Sequence, residues 1–318
     1  MLKPCNIAVV FISLLMVSCY EPKLEPDDFD SFWNKSISEL GDNVPFSVIR
    51  DSLIDDKKFT LNKIKSYEGI EIYAWVSQPV DSGTYPVFVK FHEFGIGNQN
   101  VKIIPSEWFL KQPNHINMVV DIRGQGLSTE KYKFQGYLTK GIQNENSFIY
   151  KGAFLDAVKA IDFISQNENS NGKIIASGAG QGGTLALVAT ALNPKVSLCV
   201  ANYPFLTDIH GYDKTVWPMK IWIHETNIRE MKLEEIYHIL SYFDVLNFAD
   251  RINVPVFIRT QERDTITPKE GAVKLFQKIQ GNKKKLYVDP CKGHGCSLNS
   301  KIADEMEKAF IQENLLKK

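Results

Sequence analysis

The sequence predicts a mostly parallel, doubly wound α/β fold, and three observations predict it. Six short apolar runs punctuate the chain: Tyr85–His92, Ile116–Ile122, Lys173–Ser177, Val196–Ala201, Val254–Arg259 and Lys285–Asp289. Near-continuous apolarity of this kind belongs to strands buried on both faces. Helical segments lie between them, at Lys151–Gln166 (with Phe154, Ala157, Ile161 and Ile164 at helical spacing), Thr184–Leu192 and Pro268–Ile279. Finally, strands and helices alternate along the chain, as consecutive parallel crossovers require.

The other elements follow in order. Residues 28–41 read as a helix, with acidic residues in the first turn and Gly41 as its stop. Alternating runs at 59–68 and 70–79, with Glu68-Gly69 between them, predict an antiparallel hairpin. Residues from about 205 to 250 break the strand–helix rhythm. They hold His210, Trp217, Trp222 and a helical stretch near Met231–Leu240, and read as a helical insertion over the site.

Composition narrows the function. Hydrophobic residues make up 44% and charged residues 23%, as in ordinary globular proteins. Lys+Arg and Asp+Glu balance at 37 each, so no basic excess points to nucleic acid. Near the start, Lys3 precedes the uncharged run Ile7 to Val17 and then Ser18-Cys19. That run is too short to span a bilayer and suits a signal-peptide core. Small residues followed by cysteine resemble a bacterial lipoprotein signal, with Cys19 carrying the lipid. A soluble exported protein cut nearby is the other reading. The expected division is therefore a signal at 1–18, an extension with one helix at 19–45, and the main domain at 46–318. Export permits disulfides. Cys199 sits in an apolar run, while Cys291 and Cys296 bracket His294 and are open to a disulfide or a metal-site reading. The metal reading lacks a fourth ligand.

Gly178-Ala179-Gly180-Gln181-Gly182-Gly183 follows a strand and opens a helix. Read as G-x-G-x-x-G it suggests a nucleotide-binding oxidoreductase, which needs an acidic residue ending the next strand. That strand ends in Val200-Ala201-Asn202, with no acid. Read as G-x-S-x-G, the segment is a nucleophile elbow in which Gly180 stands where serine belongs. Chain order fits the second frame, since an acid and then a histidine follow in post-strand loops at Asp264 and His294.

These residues, with others, resemble the acetyl xylan esterase/cephalosporin-C deacetylase family. The likeness runs through Asp28-Phe29-Asp30-Ser31-Phe32-Trp33, then Phe91-His92 with Gly95, and Asp121-Ile122-Arg123-Gly124-Gln125-Gly126. It continues at residues 136–142, Gln181-Gly182-Gly183, Pro204-Phe205-Leu206 and residues 240–249, and ends with Asp264, Pro268 and Gly293-His294. The resemblance implies an α/β-hydrolase domain and removal of acetyl groups from acetylated carbohydrate or other small acetyl esters. It implies no metal or organic cofactor, and a homo-oligomer of the hexameric-ring type. An exported, membrane-anchored bacterial lipoprotein is the expected setting.

Two departures bear on chemistry. His294 and Asp264 match the base and its orienter, but Gly180 carries no attacking oxygen. The expectation is a catalytically impaired homologue; the alternative is an active hydrolase using water or another hydroxyl with His294 and Asp264. Ser177 and Thr184 are the nearby hydroxyls, one within the strand and one a turn into the helix. The backbone N–H groups of Phe94 and Gln181 are the expected oxyanion hole. Glu93, where the family has glycine, either places a carboxylate against that hole or points to solvent or a lysine. Arg123 and Gln125 are expected to tie loops together beneath the site, and Trp217 and Trp222 to pack in the lid or to stack on a sugar.

Overall fold

Strand pairing builds one nine-stranded sheet in a computed structural model that describes residues 25–54, 56–95, 114–296 and 300–316. The signal segment expected at 1–18, and Cys19, lie outside the described residues. The sheet opens with β1 (Phe46–Ile54), β2 (Lys57–Lys65) and β3 (Glu71–Pro79), joined antiparallel. β2 and β3 are the hairpin read from alternation, with Thr60 opposite Val76. β3 then pairs antiparallel with β5 (Ile116–Asp121).

From there the sheet is parallel: β5, β4 (Tyr85–Phe91), β6 (Ser170–Ala179), β7 (Val196–Asn202), β8 (Val256–Arg263) and β9 (Lys284–Lys292). All six apolar runs are these strands. The chain passes from β4 outward to β5 and then back across β4 to β6, so the order reverses between β4 and β6. Their carboxyl ends flank a topological switch point, where open α/β sheets bind ligands.

Helices cover both faces. α1 (Phe29–Leu40) stops at Gly41, as read from the sequence, and buries Phe29, Phe32 and Trp33. Trp33 packs against Phe154, Phe243 and Phe248, and its indole N–H donates to the Tyr242 carbonyl at 3.0 Å. α2 (Ile149–Ser165) is buried almost throughout because it lies between the sheet and α1. α3 (Gln181–Leu192) packs on β6 and β7. The segment expected to be an insertion carries two helices, α4 (Met219–Arg229) and α5 (Leu233–Ser241), and α6 (Lys269–Lys278) follows β8. On the opposite face α7 (Lys301–Ile311) sets Phe310 and Ile311 against Ile175, Leu198, Val200 and Phe257.

Candidate active site

The elbow is built by three glycines with different jobs. A Cβ on Gly178 would lie 2.3 Å from Gly182, and one on Gly182 would lie 2.2 Å from the Phe91 carbonyl oxygen. Both flanking glycines are therefore demanded by the close crossing of β6, α3 and the end of β4. Gly180 is different. Its backbone is turned to φ 55° and ψ −122°, the strained conformation of a nucleophile turn, yet there is room for a side chain. A Cβ there would lie 3.8 Å from Glu93 Cγ, 4.0 Å from His294 Nε2 and 4.0 Å from Tyr203 Cε2. Nothing steric excludes a side chain from the position.

His294 arrives from the loop after β9. Its Nδ1 lies 2.8 Å from Asp264 Oδ2, and the Asp264 side chain is fully buried. Asp264 also accepts from the backbone N–H groups of Ile266 and Thr267 and from the Thr267 hydroxyl. Burial works to raise its pKa, but the hydrogen bonds from His294 and Thr267 outweigh that and hold the carboxyl below its ordinary value. An ionised Asp264 accepts a hydrogen bond from Nδ1–H, which leaves Nε2 facing the space over Gly180, 4.0 Å from where a Cβ there would stand. The loop is closed by a disulfide between Cys291 and Cys296, with Cα atoms 6.1 Å apart. Of the two readings open in the sequence, the disulfide is the one that forms.

Neither nearby hydroxyl is aimed at this space. Ser177 donates to the Val89 carbonyl at 3.1 Å within the sheet. Thr184 is buried and bonds the carbonyl of Phe205.

Gln181 is the first residue of α3, so its N–H has no partner within the helix. Phe94 stands in the loop after β4, its ring against Phe134 and Trp217 at 4.9 and 5.6 Å. The two expected oxyanion donors are tied together from below. Gln125 and Gln181 form a buried amide pair (Nε2 to Oε1, 3.0 and 3.3 Å), and Gln125 Oε1 accepts the Gly95 N–H at 3.3 Å. Deeper still, Arg123 forks onto Asp156 at 2.8 and 2.9 Å and reaches the Tyr67 carbonyl. Arg123 and Gln125 thus bind loops to the helices beneath the site. Trp222 is fully buried and donates to the Leu138 carbonyl at 2.9 Å, while Trp217 stacks on Phe205.

Among the described residues, Glu93 finds a tyrosine and not a lysine. It is half-buried, and its Oε1 accepts the Tyr203 hydroxyl at 2.7 Å. Sequence reading passed over Tyr203, although its position just after the strand beside the elbow strand was a usable signal. It sits in a left-handed conformation at φ 37°, with Leu206 and Asp208 also at positive φ. Backbone bonds hold it there: Gly180 N–H to the Asn202 carbonyl at 3.0 Å, Phe205 N–H to the Gly180 carbonyl at 3.1 Å, and Tyr203 N–H to the Arg259 carbonyl at 2.6 Å. Its ring meets His294 edge-on at 5.1 Å.

The acetyl xylan esterase (AXE1) family model matches residues 7–309. The chain belongs to the acetyl xylan esterase family. Acetyl esterase Axe7A of Xylanibacter ruminicola is 30% identical over 287 residues, covering 85% of this chain and 63% of that protein. The chain thus spans under two thirds of the length of that curated relative. Among solved structures, an acetyl xylan esterase from Paenibacillus sp. R4 superposes with a TM-score of 0.79 at 24% identity, covering 93% of this chain and 98% of that one. Acetyl xylan esterase 1 from a Thermoanaerobacterium species gives 0.79 at 21%, covering 91% and 94%. These likenesses establish the α/β-hydrolase fold of the esterase-family chain.

Proposed function

We propose that this chain is an acetyl xylan esterase homologue impaired in ester cleavage, one that holds carbohydrate at the Gly180–His294 site without a covalent step. The observation that carries the reading is Gly180: the elbow's central residue has no side chain, while a base and its orienter stand beside it. In acyl transfer of the kind the family implies, a serine oxygen attacks the ester and imidazole takes its proton. His294 Nε2 instead faces a position with no oxygen to deprotonate. Removing the nucleophile from a working triad costs on the order of a million-fold in turnover.

The names of the relatives supply the ligand class, which is acetylated carbohydrate or another small acetyl ester. The proposal includes no metal or organic cofactor, a homo-oligomer, and export with a lipid on Cys19.

A second reading has one observation in its favour. The side-chain-sized space beside His294 Nε2 is where a water would stand for activation. Hydrolysis of p-nitrophenyl acetate by the purified chain and by His294→Ala separates the two. Equal background rates are expected. A rate in the parent that His294→Ala abolishes would overturn the impaired reading in favour of activated water.

A further inference from the structure

The groups around Gly180 share a polarity that an esterase site does not need. His294 commits its Nδ1 proton to Asp264 and presents a lone pair at Nε2. Glu93 presents a carboxylate, of whose roughly four lone-pair sites Tyr203 takes one. Tyr203 commits its proton to Glu93 and offers only its oxygen. Burial and the Glu93 charge both drive its phenol pKa upward, so that proton stays on the phenol. Among the described residues, the three side chains nearest a Gly180 Cβ therefore all accept hydrogen bonds. An acetyl ester has two oxygens and no donor, so these side chains offer it nothing; only the expected backbone donors at Phe94 and Gln181 could serve its carbonyl, and Glu93 puts a carboxylate next in the chain to one of them. An alcohol brings the missing donor.

We infer that the Glu93–Tyr203 pair has turned the site from one that takes an ester into one that takes a free hydroxyl, so that its ligand is unacetylated carbohydrate. The inference rests on the reading that the site holds carbohydrate without turnover, and it names the chemical form held. The left-handed Tyr203 fits it, because backbone strain at a residue aimed over the elbow is kept where surrounding bonds fix a functional geometry.

Calorimetric titration with xylotetraose and with acetylated xylotetraose tests it, using the parent, Glu93→Gly and Glu93→Gln. The parent is expected to bind the free sugar at least about tenfold more tightly, about 1.4 kcal/mol. Glu93→Gly is expected to erase that preference. Glu93→Gln keeps the size of the side chain while replacing one acceptor with a donor, and is expected to gain affinity for the acetylated form. The inference is overturned if the acetylated sugar binds the parent as well or better, if neither sugar binds, or if both variants keep the parent's preference. Failure of the underlying reading looks different: acetylated sugar would give sustained heat of turnover and release acetate.

Discussion

At Gly180 the backbone keeps the φ and ψ of a nucleophile turn although the residue has no side chain. Restoring serine should therefore fit without a clash yet cost about 1–3 kcal/mol of stability, measurable as a lower denaturant midpoint at unchanged slope. A Cβ 4.0 Å from His294 Nε2 places an oxygen one bond further on within hydrogen-bond reach. Activity is a separate matter, because Glu93 Cγ lies 3.8 Å from where the new Cβ would stand, next in the chain to the expected oxyanion donor Phe94. Gly180→Ser alone is expected to hydrolyse p-nitrophenyl acetate about 100-fold more slowly than Gly180→Ser with Glu93→Gly. Equal rates for the two variants would remove Glu93 from any opposition to the oxyanion. That Gly180, His294 and Asp264 lie together could be anticipated from elbow spacing and from the order of post-strand loops along the chain. The Glu93–Tyr203 bond could not be, since it depends on two loops meeting at the ends of β4 and β7.

The elements that hold these loops are expected to be unforgiving. Arg123 and Asp156 are both buried, and Ser66 and the Arg123 backbone N–H complete the cage around the carboxylate. Arg123→Ala leaves that carboxylate unpaired in the interior, and a loss of about 3–5 kcal/mol in equilibrium unfolding is expected. Asp244, in the segment that follows α5, has a different dependence on solution conditions. Burial pushes it up from the ordinary 3.8 to about 6, against hydrogen bonds from the N–H groups of Ile209, Leu246 and Asp208. Between those pH values the native state holds the proton more tightly than the unfolded chain, so this group's contribution falls as pH rises through the window. Unfolding free energies of the parent and Asp244→Asn, compared at pH 4.5 and 7, should reveal it. The parent's advantage is expected to shrink by about 1–3 kcal/mol at the higher pH. The strands buried on both faces were readable because their apolarity is continuous. β1 was missed for the opposite reason: all nine of its residues are exposed, so no buried face imposes alternation on FSVIRDSLI. α7 also went unread, though its Phe310 and Ile311 close the second face of the sheet.

For the molecule as a whole, anchoring is the testable part of the proposal. Cys19→Ser is expected to move the protein from the membrane pellet to the soluble fraction and to abolish incorporation of labelled palmitate. Unchanged partition would mean that Cys19 carries no lipid. The burial of α1 then sets geometry as well as stability. Phe29 is locked into the main core, and Cys19 stands ten positions before it in the chain. Ten residues reach at most about 33–36 Å when fully extended. A compact body of this length is about 50 Å across. A lipid on Cys19 would therefore be a leash shorter than the body it holds, with its far end fixed to the interior. The domain would ride against the bilayer with a restricted choice of faces, sampling polysaccharide brought to the surface and not polymer diffusing freely beyond it.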